Sequence, residues 1–164
     1  MLGPHIKRRR DGMRYTLKLS VQERGLLRML PKEAQGLLEE PDNPTMRRVF
    51  PVAYPQDPEA DSNYRDLVGS ELVRKHRDEL EVLSSTADAP DLDVVQLGQW
   101  LGAIEVLRLM LGTSLDVGED PQDLPTDDPR SSQLAVYRYL SWLQGEVVDA
   151  LASSVPDVGR EVEG

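Results

Sequence analysis

The stretch DVVQLGQWLGAIEVLRLML, residues 93–111, decides how the rest of the chain is read. Leu97, Leu101, Ile104, Leu107 or Arg108, and Leu111 recur in it at spacings of three and four, the repeat that lines one side of an α-helix. So apolar a helix belongs at the centre of a bundle, and the neighbouring segments are expected to cover it. Gly112 follows as its natural terminator.

Toward the N-terminus, residues 57–83 predict a second helix, opened by Asp57 with Pro58 and Glu59 in its first turn. Tyr64, Leu67, Val68, Leu72, Leu80 and Leu83 form its expected buried side, whereas Arg74, Lys75, Arg77, Asp78 and Glu79 look solvated. Residues 41–58 carry prolines at 41, 44, 51, 55 and 58. Each lacks an amide donor and restricts its predecessor, so this is an extended connector, pinned to the core by Phe50. Ser20 and Glu23 stand three apart, the capping-box spacing, and predict a helix over 21–38 with Leu26, Leu27 and Leu30 inward and a break or restart at Pro31. Residues 5–19 read as a β-hairpin, because Asp11-Gly12 tolerates a tight turn and Tyr15, Leu17 and Leu19 then alternate with polar residues.

Toward the C-terminus, residues 116–128 form an acidic, proline-bearing loop. A last helix opens at Asp128 or Pro129, with Leu134, Tyr137, Leu140, Leu143, Val147 and Leu151 as its apolar face, and residues 155–164 are a frayed tail. The architecture expected is one domain over 1–164, mainly α, a four-helix bundle-like unit with a short N-terminal β-hairpin. At the level of class, α+β is the alternative.

Composition narrows the functions open to such a domain. Apolar residues at 39% and charged residues at 29% fit a globular chain and are too apolar for wholesale disorder. No apolar run reaches the roughly 18 residues that span a bilayer, so no membrane partner is expected. The basic start leads into a polar stretch rather than a signal-peptide core, which points to a cytoplasmic protein. Without cysteine there are no disulfides, thiolate metal sites or thiol sensors, and methionine oxidation is the redox chemistry left. A net charge of −10 repels phosphate backbones, so DNA contact must run through a local basic patch. Lys7, Arg8, Arg9, Arg10 and Arg14 are that patch; the competing reading pairs them with the acidic body of the same protein.

The sequence holds no catalytic constellation. His5 and His76 stand at no metal-pair spacing and near no evident nucleophile, and read as solvated. Glu119-Asp120 and Asp127-Asp128 lack the glycine punctuation of a calcium loop. Neither a cofactor nor a metal is expected. Arg108 interrupts the most apolar stripe and needs a partner there, because a buried unpaired charge is expensive. Glu71 of the second helix is the partner chosen; a ligand anion is the alternative. Trp100 and Trp142 stand at the edges of apolar stripes, where they complete the core or form an interface, for instance that of a homodimer.

Leu107 to Leu115 and Tyr137 to Leu151 resemble a small actinobacterial family, domain of unknown function number two-zero-one-seven. The similarity extends to Arg8-Arg9-Arg10-Asp11-Gly12, Phe50-Pro51-Val52-Ala53-Tyr54, Asp57-Pro58-Glu59 and Trp142-Leu143-Gln144. The resemblance implies a transcriptional regulator of the oxidative-stress type, although a chain without cysteine cannot use a thiol pair as its sensor. A non-enzymatic regulator that contacts the transcription machinery as its protein partner, with DNA contact through the basic arm left open, is the function expected. A self-associating helical adaptor without DNA binding is the alternative.

Overall fold

The computed structural model describes residues 4–40, 42–116, 124–125 and 127–153. Strands β1 (Ile6–Arg8) and β2 (Arg14–Leu17) form the expected hairpin, with Gly12 at φ +72° in the turn. A third strand, β3 (Asp91–Asp93), pairs antiparallel with β2, placing Tyr15 opposite Leu92. Three residues of one strand carry no periodicity, so β3 is invisible until its partner is in place. The sheet order is β1-β2-β3, and Ile6, Tyr15, Leu17 and Leu92 turn into the core.

Helix α1 (Val21–Leu38) begins at the Ser20 and Glu23 capping box and runs unbroken through Pro31. The expected break does not occur: proline costs one backbone bond, and here its ring is buried in the helix interface. Residues 44–46 form a short 3-10 turn, so the connector is not wholly extended; Met46 and Val49 sink deeper into the core than Phe50.

Helix α2 (Pro58–Ser85) is capped by Asp57, whose carboxylate accepts from the Ala60 amide. Helix α3 (Val94–Leu115) starts at a box made by Asp93 and Gln96. It continues past Gly112, which is buried inside it, and ends at Asp116, in the left-handed region at φ 51°. Glycine ends a helix only where the chain can leave, and here Leu115 still has core to reach. By length and composition α3 could cross a membrane, with a mean hydropathy of 1.3, contrary to the expectation that no segment could. It instead packs against α1, α2 and α4 as the central helix of the bundle. Helix α4 (Ser131–Ala152) opens two or three residues later than expected; the Asp128 carboxylate accepts from the Arg130 amide just before it. Most of the acidic loop and the whole tail lie outside the described residues.

Four helices with a small antiparallel sheet make the chain mainly α with α+β character. One side chain that the sequence did not single out ties the two layers together. Arg24 of α1 donates to the carbonyls of Leu17 and Leu19 beside the hairpin and of Ala87 and Ala89 in the α2–β3 turn. Four carbonyls left without a strand or helix partner are satisfied by one guanidinium.

Candidate interaction surfaces

Tyr139, Trp142 and Glu146 lie on one face of α4, at the spacing that stacks side chains along a helix. His5 meets the Trp142 ring edge-on at 4.7 Å, and its backbone amide donates to Glu146 at 3.2 Å. Tyr139 lies 5.8 Å from the same indole and donates its hydroxyl to Glu23 at 3.1 Å. Burial, then the nearby Glu23 charge, holds the Tyr139 phenol far above the ordinary tyrosine range, so it stays a neutral donor. Trp142 remains 40% exposed within this frame. A groove of about 360 Å³ runs alongside, between Ile6 to Arg8 and the last turns of α4. The result is a large aromatic group already fixed in place and open to a partner.

The other tryptophan does the opposite. Trp100 is fully buried and donates its indole N–H to Thr86 at 2.7 Å, so of the two roles open to it, core or interface, it takes the core. Both positions lie at stripe edges in sequence, and only the packing of α2 over α3 separates them.

The basic patch is partly spent. Arg9 and Arg14 both bind Asp91, at 3.2 and 2.5 Å, and Arg8 donates to the carbonyls of Ser153 and Gly12. Lys7 and Arg10 are exposed and make no ion pair among the described residues. Among the described residues Arg8, too, has no carboxylate partner, so three of the five cations make no ion pair there.

Arg108 is half-buried, as expected, but its carboxylate is Glu105 of its own helix at 3.1 Å, not Glu71. Ser141 and Gln144 of α4 accept from it at 2.9 and 2.6 Å, and the Tyr137 ring lies 5.4 Å away. Glu71 sits exposed on α2, where it lines a shallow surface hollow with Tyr64 and Lys75. These contacts engage three of the five N–H donors of Arg108.

Two buried carboxylates escaped the sequence pattern. Glu79, read as solvated, is buried and pairs with Nδ1 of His76 at 3.0 Å. His76 is itself largely buried and faces the Phe50 ring at 6.1 Å. Glu79 fits only because α3 presents Gly102 to it: a Cβ there would occupy the position of the carboxylate. Asp61 accepts from the amides of Ala53 and Tyr54 and pairs with Arg65, hooking the connector to α2. Among the described residues no group of three or more histidine and carboxylate side chains could hold a metal ion.

Comparison with known proteins gives this geometry a context. The family model described as Domain of unknown function (DUF2017) matches residues 4–151. Proteins named oxidative stress regulator AosR, from Mycobacterium tuberculosis and Mycobacterium bovis, are 28% identical to this chain over 88% of its length and 85% of theirs. A putative oxidative stress regulator AosR from Mycobacterium leprae is 29% identical over 73% of this chain and 63% of its own. No solved structure matches.

Proposed function

This chain belongs to the DUF2017 family, and from that membership we propose that it is a regulatory protein that works by docking on components of the transcription machinery rather than by catalysing a reaction. The observation that carries the reading is Trp142, exposed yet held between His5 and Tyr139. An aromatic group fixed before binding loses little entropy on contact, and such residues dominate the energy of protein interfaces. The regulatory half of the reading rests on the names of the mycobacterial relatives.

A direct landing on DNA through the hairpin is the weaker mode, since Asp91 binds both Arg9 and Arg14 and offsets one of their two charges. Thiol oxidation cannot be the input, because the chain has no cysteine.

The test is binding of the purified protein to purified RNA polymerase core enzyme, and to its sigma factors one at a time. Trp142→Ala is expected to weaken the contact by about 2 kcal/mol, roughly 30-fold, with the melting temperature little changed. Absence of binding to every polymerase component, or equal binding by the variant, would overturn the reading.

A further inference from the structure

An opening lies away from Trp142, where the end of α1, the connector and the middle of α2 meet. Its volume is about 530 Å³, within the range of small-molecule sites. Leu38, Phe50 and Val73 make an apolar floor, with Leu38 fully buried beneath it. Gly69 forms part of the wall, and a Cβ built there meets nothing within 4 Å. The helix leaves this space open at a position where any side chain would begin to fill it.

The polar rim sorts by charge. Its two cations are committed: Arg77 to Glu39, and Arg65 to both Asp42 and Asp61. Of the rim carboxylates, Glu39 and Asp42 are the partners of those arginines, and one is left over. Asp66 makes no ion pair among the described residues, Asp42 is 90% exposed at its side chain, and Ser70 is open beside them. The C-terminal end of α1, with no basic residue in its last turn, adds the partial negative charge of a helix end to the same rim. Three carboxylates against two guanidinium groups leave the rim one net negative charge, carried by Asp66, and beside an apolar floor that charge favours a cation with an apolar body.

We infer that this pocket is a binding site for a small organic ammonium ion, its hydrocarbon or aromatic part on Phe50 and Val73 and its charge on the Asp66 side of the rim. The inference is independent of the docking role proposed for Trp142, because the two sites share no residue.

Three probes with the same ring separate the terms: 2-phenylethylammonium, 3-phenylpropionate and 2-phenylethanol, titrated into the full-length isotope-labelled protein and followed by amide shifts. The ammonium probe should bind with a dissociation constant on the order of 1 mM, as befits so few atoms, and shift the amides of residues 66–73. The carboxylate should bind at least tenfold more weakly, with the alcohol between. Gly69→Leu fills the opening and should weaken the ammonium probe at least tenfold, while raising rather than lowering the melting temperature, so lost binding is not lost folding. Asp66→Asn should reduce the preference for the ammonium over the alcohol and leave the alcohol unchanged. No shift up to ten millimolar probe, a carboxylate that binds as well as the ammonium, or undiminished binding by Gly69→Leu would each overturn the site.

Discussion

The two halves of α2 invert each other. In residues 58–75 two large side chains of the expected apolar side are exposed, Tyr64 by 46% and Leu67 by 78%, whereas in residues 76–85 Glu79 is only 7% exposed. One helix thus leaves leucine in water and takes glutamate inside. The difference lies in the neighbours: the second half has the Leu80 and Leu83 core around it and Gly102 beside it, while the first half is met by the connector through Asp61. Amphipathic patterning reports which residues can be buried together. Which of them are buried depends on what arrives to cover them.

The sharpest way to break this contrast is to truncate a leucine in each half. Leu80→Ala should cost about 2–5 kcal/mol, because a fully buried side chain leaves a cavity, and Leu67→Ala should stay within about 0.5 kcal/mol. Urea denaturation measures both. Equal losses would mean that the first half is covered in solution.

Glycines sharpen it next. Gly102→Ala should destabilise by about 1–3 kcal/mol, since Glu79 must leave its place beside His76 with no solvent to receive it. Gly69→Ala, in open space on the other half, should stabilise by about 0.5–1 kcal/mol through the gain in helix propensity. Opposite signs are the prediction; two losses would place Gly69 against a neighbour.

A smaller effect separates the two buried carboxylates. Asp61→Asn keeps an acceptor for the Ala53 and Tyr54 amides but loses the charge on Arg65, and should cost about 1 kcal/mol; Asp61→Ala should cost more, about 1–3 kcal/mol. Hydrogen exchange at residues 53 and 54 should accelerate in the alanine variant and leave α2 beyond residue 76 unchanged. Faster exchange throughout α2 would show that its halves open together.

Most element boundaries were legible because they are set by contacts between near neighbours. Ser20 and Glu23, Asp57 and Ala60, and the turn at Gly12 act over three or four residues, and each stands where the sequence placed it. Pro31 and Gly112 misled for the complementary reason, as local signals overridden by core contacts that extend the helix on both sides. The family, too, was readable from the chain alone, because the model match covers residues 4–151. What the tertiary structure decided was burial and partnership across long separations: β3 beside β2, Arg24 on carbonyls more than sixty residues away, Arg108 toward α4 instead of Glu71, and Trp100 inside while Trp142 is out. A sequence carries the periodicity of each helix but not the angle at which the next one crosses it, and that angle determines which polar group meets a partner and which apolar group meets water.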